Sequence, residues 1–483
     1  MQKLLPLALL AGSSLAQPTL ADTNSDLETL RQQINAMKQQ YEARIQALES
    51  RIQQAEQQHQ TVQQQTDDSA RQLASLEQQV SQTTSSRSNS FNPDISLTLQ
   101  GAAASYKSDP EAYHLEGMPM GGEAGLIEEG LGLIETELTA SANIDNLFFG
   151  QATLGLHSHE GETELDLEEA FVDTLALPAG LGLRFGRFFS GIGYLNSHHS
   201  HNWDFIDAPL AYRAFLGGQY RDDGLRASWL LPTESLLVEV GAELLRGGQY
   251  PAGETEGSMS NVQHGFINLG GDVGQQSSWQ LGLSHMNIDV RDRVAGGGAH
   301  EHGHEDEHAA ELSTGFTGDT RIQAIDAVWK TDLSGGRQWV LQGEYFLRKE
   351  KGELVFTEDE EQALLGYTGK QTGWYVQSTL KFAPQWRAGL RYDHLQADNH
   401  LFLSQGDLDG NATTLDADEA IEESGYAEGH DDPYRWSAML DWTPTEFSRV
   451  RLQYNRDNST DDTDHQLFLQ YIMSFGAHGA HQY

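Results

Sequence analysis

The sequence contains no cysteine, and its 30 Lys and Arg residues face 71 Asp and Glu. It also has no apolar run as long as the roughly 18 residues a membrane helix needs. Each shortage excludes a class. Without cysteine there is no disulfide scaffold, no thiolate-ligated zinc, no thiol nucleophile and no lipidated N-terminal cysteine. A formal net charge of −41 opposes binding to DNA, RNA or an anionic inner leaflet, because each would add repulsion. The missing apolar runs exclude a helical membrane bundle. They leave open a membrane β-barrel, whose strands alternate apolar and polar residues and so average to a polar composition.

What is present falls into segments. Met1-Gln-Lys3 is a short positive start, Leu4 to Ala16 is an apolar run, and small residues follow to Ala21. This pattern reads as a secretory signal peptide over 1–21. Residues 22–85 lack both Gly and Pro, and apolar positions recur at steps of three and four: Leu30, Ile34, Met37, Tyr41, then Ile45, Leu48, Ile52, and again Leu73, Leu76, Val80. A heptad seam with an otherwise polar surface needs partner helices, so 22–85 is expected to be a periplasmic α-helical coiled coil, whose mixed Ile, Leu and Met seam does not fix the number of helices. Residues 86–93 form a polar linker closed by Pro93.

From 94 to 483 the period is two. Ile134, Thr136 and Leu138 alternate with Glu135 and Glu137, and Leu181, Leu183 and Phe185 alternate with Gly182, Arg184 and Gly186. Seven short turns, near 145–146, 177–180, 232–235, 274–277, 332–336, 383–385 and 443–446, alternate with eight mostly longer connections. The longer ones fall near 106–130, 157–164, 190–222, 247–262, 290–318, 349–371, 397–433 and 457–464. Fifteen connections imply an all-β transmembrane barrel of about 16 antiparallel strands, with short turns on the periplasmic side and long loops outside. An even count returns both ends to the periplasmic side, where a secreted stalk belongs. Trp229, Trp279, Trp329, Trp339, Trp386 and Trp442 lie near short turns and Trp374 and Trp436 near the opposite strand ends, as paired interfacial girdles would. The expected location is the outer membrane of a Gram-negative cell, with its lipid and lipopolysaccharide as partners.

The runs Phe91-Asn-Pro-Asp-Ile-Ser-Leu-Thr-Leu-Gln100, Arg187-Phe-Phe-Ser-Gly-Ile-Gly-Tyr194 and Gly476-Ala-His-Gly-Ala-His-Gln-Tyr483 resemble a family of outer-membrane proteins often described as zinc-regulated. The wider plan is similar to phosphate-selective and dicarboxylate-type porins that carry an N-terminal trimerisation stalk. The resemblance implies a porin-like channel, a homotrimer joined through the coiled coil, and a link to zinc. A TonB-dependent-type metal receptor and a non-transporting adhesin or structural barrel are the alternatives. A plug domain with about 22 strands does not fit this length.

The chemistry concentrates in the loops. His300, His302, His304 and His308 stand with Glu301, Glu305, Asp306 and Glu307 in nine residues, after the flexible Gly296-Gly-Gly298. Imidazole and carboxylate together suit zinc, copper and nickel, so this tract is the candidate metal-capturing segment, with Zn(2+) as transported or loop-bound ion and no cofactor required. The third long loop holds His198, His199, His201, Asp204 and Asp207. By analogy with sixteen-strand porins, these are candidate residues of a pore constriction. His157 and His159 in the second long loop, and His478 and His481 near the C-terminal end, could relay ions, but read more simply as surface residues. No G-x-S-x-G elbow stands out, and the chain is expected not to be an enzyme. The combined expectation is a cation-preferring channel that assists entry of divalent metal ions.

Overall fold

The computed structural model describes residues 93–110, 113–121, 124–159, 162–255, 259–295, 313–358, 361–404, 417–427, 432–460 and 462–476. The signal peptide, the coiled coil and the His300–His308 tract lie outside the described residues, as do His478, His481 and most of the acidic stretch after Ser404.

Sixteen strands form one closed antiparallel barrel. They are β1 (Asp94–Ser105), β2 (Gly130–Asn143), β3 (Phe148–His159), β4 (Glu162–Thr174), β5 (Leu181–Phe189), β6 (Arg221–Leu230), β7 (Leu237–Leu245) and β8 (Val262–Val273). The second half comprises β9 (Ser277–Ala295), β10 (Ser313–Leu333), β11 (Arg337–Glu358), β12 (Glu361–Ala383), β13 (Trp386–Leu403), β14 (Tyr434–Thr445), β15 (Ser448–Asn458) and β16 (Asp464–Gly476). Each strand pairs with its neighbours in sequence, and β1 closes on β16 with Ser96 opposite Gly476.

The alternation in β16 shows why the sheet closes this way. Leu467, Leu469, Tyr471, Met473 and Phe475 face outward and are exposed, while Gln466, Phe468, Gln470 and Ile472 face inward and are buried. This is a soluble protein turned inside out: apolar residues outside, and a lumen rich in Gln, Asn, Asp, Glu and Arg. Such an exterior is stable only against hydrocarbon, and closure pairs every strand edge, which a membrane demands of a sheet.

The short turns use local chemistry. Asp145 Oδ1 accepts hydrogen bonds from the backbone N–H groups of Leu147 and Phe148 at 2.7 and 2.9 Å, tightening the β2–β3 turn. The β10–β11 turn places Gly335 and Gly336 at φ of 77° and 70°, a backbone that glycine tolerates without steric cost. Two expected loops are strand instead. β3 and β4 extend to His159 and Glu162, and β11 and β12 to Glu358 and Glu361, leaving two residues between each pair. The hydrophilic run Arg348–Gly352 hid this extension, because its strand pairs with β12 through the backbone whatever its side chains.

The lumen is occupied. The third long loop, between β5 and β6, carries helix α1 (Leu210–Leu216), which is buried throughout. The first loop also folds inward. The Gly117 carbonyl accepts hydrogen bonds from Gln371 Nε2 at 3.1 Å and Asn399 Nδ2 at 2.8 Å, on β12 and β13. Together with Tyr426, which follows α2 (Ala417–Glu423), these loops build an apolar core against β9–β13 in the long-loop half, including Tyr113, Met118, Phe215, Phe316 and Tyr367. On the short-turn side of the third loop lies a cavity of about 1100 Å³ that reaches the turns at Gln275, Gln276 and Gln385.

Candidate metal centre in the barrel lumen

The third loop is tied to the barrel wall on several sides. Glu344 of β11 accepts the backbone N–H groups of Tyr194 and Leu195, both at 3.0 Å, and the hydroxyls of Tyr212 and, at 2.6 Å, Tyr375. Gly193 makes this nest possible. Its φ is 69°, and a side chain there would collide with the Glu344 carboxylate and the Tyr212 hydroxyl. On the arginine-rich wall, Asp207 Oδ1 lies 2.8 Å from Arg391 Nη2, and its Oδ2 lies 2.8 Å from Arg435 Nη1. Burial would raise the Asp207 pKa, but Arg435, Arg391 and Arg213 hold its carboxyl well below the usual carboxylate range. Asp204 pairs with Arg387 at 2.8 Å. The charges of both aspartates are therefore compensated by arginine.

The opposite wall is different. Here β2 contributes Glu135 and Glu137, β3 contributes His157, and β4 contributes Glu168 and Glu169. Two adjacent glutamates face the lumen because the β3–β4 register shifts: Thr153 pairs with Glu169 and Leu154 with Leu167, which leaves Glu168 as an extra residue. A bulge of this kind re-aims a side chain that regular alternation would point into the lipid.

The loop meets this wall with His199 and His201. His201 Nδ1 lies 2.7 Å from Glu137 Oε1. His199 Nδ1 lies 3.1 Å from Glu137 Oε2 and 3.3 Å from Glu168 Oε2, and its Nε2 lies 3.0 Å from Glu169 Oε2. His157 Nε2 lies 3.9 Å from Glu135 Oε1 and 3.7 Å from Glu168 Oε1. The Glu135 carboxylate accepts a hydrogen bond from Gln100 Nε2 at 2.8 Å and another from the Ser200 hydroxyl. Burial alone would lower the His199 pKa. The Glu137 carboxylate first, and the adjacent Glu168 and Glu169 carboxylates with it, outweigh burial and raise that pKa well above the usual imidazole value.

Two donor sets have the proximity a metal ion requires: Glu137 with His199 and His201, and Glu135 with His157 and Glu168. The imidazoles retain some access, with 18% of the His199 side chain and 23% of the His157 side chain exposed. The five expected constriction residues thus divide. His199 and His201 join the acidic wall, Asp204 and Asp207 join the arginine wall, and His198 lines the cavity below, where burial lowers its pKa. Glu135, Glu137, Glu168, Glu169 and His157 were not among the expected site residues. Glu135 and Glu137 carried a signal: they are the polar phase of an alternating strand, and in a barrel of this size that phase faces the lumen.

A buried Ser190, His264 and Glu243 group also ties loop to wall. Ser190 Oγ donates to Glu243 Oε2 at 2.6 Å, and His264 Nδ1 lies 2.8 Å from the same oxygen. All three are buried, and Arg226 Nε donates to the same carboxylate at 2.6 Å.

A closed sixteen-strand barrel with a lipid-facing exterior, a polar lumen and an inward-folded third loop is a porin-like transmembrane β-barrel. The chain is 30% identical over 426 residues to a protein of Aquifex aeolicus (strain VF5) described as an uncharacterized protein, covering 81% of this chain and 80% of that one, and it belongs to the same family. No family model matches it. Among solved structures it is similar to the outer membrane channel DcaP of Acinetobacter baumannii, with a TM-score of 0.46, 11% identity and coverage of 80% of this chain and 97% of that one. It is also similar to a loop-deletion mutant of OmpT, an outer membrane protein of Vibrio cholerae, with a TM-score of 0.45, 11% identity and coverage of 80% and 99%. The strand order described above, rather than these likenesses, establishes the barrel.

Proposed function

We propose that the chain is an outer-membrane channel that prefers cations and assists entry of zinc and related divalent metal ions. One observation carries this reading: four glutamates and three histidines converge on the lumen side of β2–β4, and the ion pairs recorded for these glutamates are with imidazoles. Grouped carboxylates attract cations, and imidazole adds preference for transition metals over calcium and magnesium. The acidic composition raises the local cation concentration at the mouth. In this reading His300, His302, His304 and His308, with Glu301, Glu305, Asp306 and Glu307, capture ions outside. The coiled coil over 22–85 holds three barrels together with the stalks in the periplasm.

Planar-bilayer recording of the purified full chain tests the reading. Stable ohmic steps with a cation-selective reversal potential, reduced by micromolar zinc, are expected. Anion selectivity, or conductance indifferent to zinc, would overturn it. The apolar core of the long-loop half favours a second reading, a non-conducting structural barrel, and silence over repeated insertions would select that instead.

A further inference from the structure

One residue of the second donor set also contacts the first. Glu168 Oε1 faces His157, and Glu168 Oε2 faces His199. Resting on the reading of this cluster as a metal centre, we infer that it is a two-ion site in which the Glu168 carboxylate bridges two divalent transition-metal ions. One ion is held by Glu137, His199 and His201, and the other by Glu135 and His157.

Four features of the geometry support two positions. The first is spacing. Donor atoms on a tetrahedral zinc shell with bond lengths near 2.0–2.2 Å stand about 3.3–3.6 Å apart. The separations of 3.1, 3.3, 3.7 and 3.9 Å lie around that value, whereas direct charge-assisted hydrogen bonds between nitrogen and carboxylate are shorter, about 2.7–2.9 Å; the 2.7 Å contact of His201 with Glu137 is such a bond and must lengthen to admit an ion.

The second is Glu168 Oε2, which is buried and lies 3.3 Å from His199 Nδ1 without a well-formed hydrogen bond. A buried carboxylate oxygen without one is costly unless a cation completes it. The third is Gly155. A Cβ at this position would come within 2.5 Å of Glu168 Oε1 and 2.8 Å of His157 Nε2, so the missing side chain keeps open the space between those two donors.

The fourth is charge. Four carboxylates beside three imidazoles leave an excess of negative charge that two divalent ions would balance, and carboxylate-bridged pairs of ions are an established arrangement at about 3.5–4 Å. The bulge that turns Glu168 inward is the local device that makes bridging available. Two adjacent positions linked by one carboxylate also give an ion a second shell to enter before it leaves the first, as conduction between sites requires.

Cobalt(II) binding to the detergent-solubilised full chain, counted by equilibrium dialysis, tests this. Heat-modified gel migration checks that each variant retains its barrel. The wild type should bind two more ions than a variant combining H157A, H199A and H201A. H199A with H201A should lose one ion, H157A should lose the other, and Gly155→Val should lose the His157 ion with every ligand intact. E168Q should weaken both positions at least tenfold. If H199A with H201A keeps the wild-type count, the metal-centre reading itself fails. If that variant loses an ion while H157A and Gly155→Val lose none, the centre is mononuclear and the bridge is overturned. Manganese(II) bound to the wild type gives a check free of substitutions. An exchange-coupled electron paramagnetic resonance signal is expected at full occupancy, and an uncoupled six-line spectrum would overturn the bridge.

Discussion

Asp207 Oδ2 lies 2.8 Å from Arg435 Nη1, with both side chains buried between the third loop and the barrel wall. The same carboxylate holds Arg391 and hydrogen-bonds with Gln453 and Asn455. Removing its charge leaves the buried Arg391 and Arg435 with Asp393, and Arg435 also with Asp457 at 3.9 Å, so the loss is that of charge-assisted hydrogen bonds, about 1.5–3 kcal/mol. Asp207→Asn is therefore expected to lower the urea midpoint of the barrel in micelles and to expose the loop to protease. An unchanged midpoint would show that the loop is held elsewhere.

The acid limb of that experiment has a definite sign. The folded-state pKa of Asp207 is depressed, chiefly because Arg435 and Arg391 overcome the effect of burial. Its contribution is complete above the unfolded value of about 3.9 and is lost only as pH falls through the lower folded value. The stability gap between wild type and Asp207→Asn should be flat from pH 5 to 8 and close only in strong acid. A gap that closes near neutrality would assign the clamp to another group.

Gly193 anchors the same loop at another point. Replacement by alanine combines an unfavourable positive φ with a collision against Glu344 and Tyr212, so Gly193→Ala should destabilise the loop by about 1–3 kcal/mol. Single-channel traces should show more open-channel noise, because the loop borders the cavity below it through Tyr194 and His198. Quiet traces with wild-type conductance would mean the nest is dispensable.

These residues also show what the sequence made legible. The strand count and the positions of the short turns could be read from period two and loop length, whereas the inward third loop is expected only by analogy with sixteen-strand porins, and its buried Trp203, Phe205, Tyr212 and Phe215 show how it is held. The acidic wall could not be assembled the same way. Glu137 and His199 are far apart in sequence, and only barrel closure and loop inversion bring them to 3.1 Å. Glu168 was hidden for a different reason. Strict alternation places either Glu168 or Glu169 outside, and the bulge that turns both inward leaves no compositional mark. Asp204 and Asp207 read as free carboxylates because their arginine partners lie on β13 and β14.

Zinc binding should separate into outer and inner components. Replacing His300, His302, His304 and His308 with alanine is expected to remove the weaker, rapidly exchanging component in calorimetry, since a glycine-flanked tract pays ordering entropy on chelation. The block of current by zinc from the lumen should persist. Glu137→Gln should do the reverse, raising the zinc concentration for half-block at least tenfold while the outer component remains. If the tract substitutions leave the total zinc bound unchanged, the tract has no capture role.

The outward face of β16 makes the membrane assignment testable in one strand. Leu469 and Gln470 are neighbours near its middle, one facing out and exposed, the other facing in and buried. Leu469→Arg would place a guanidinium in hydrocarbon, at a cost of about 2–4 kcal/mol near the midplane. Gln470→Leu would exchange a lumenal hydrogen-bonding group for an apolar one, leaving the lipid face untouched. It removes the bonds that Gln470 makes with Arg451 at 3.0 Å and Gln100 at 3.2 Å, at about 1–3 kcal/mol for a buried group left unsatisfied. The two losses are comparable in size but differ in their dependence on solvent. Folding into lipid vesicles should discriminate strongly against Leu469→Arg, whereas in loosely packed detergent micelles, where the guanidinium reaches water, its deficit should shrink. The Gln470→Leu deficit should be the same in both media. Equal behaviour of Leu469→Arg in vesicles and micelles would mean that this face does not meet hydrocarbon, and the barrel would then have to be a soluble one.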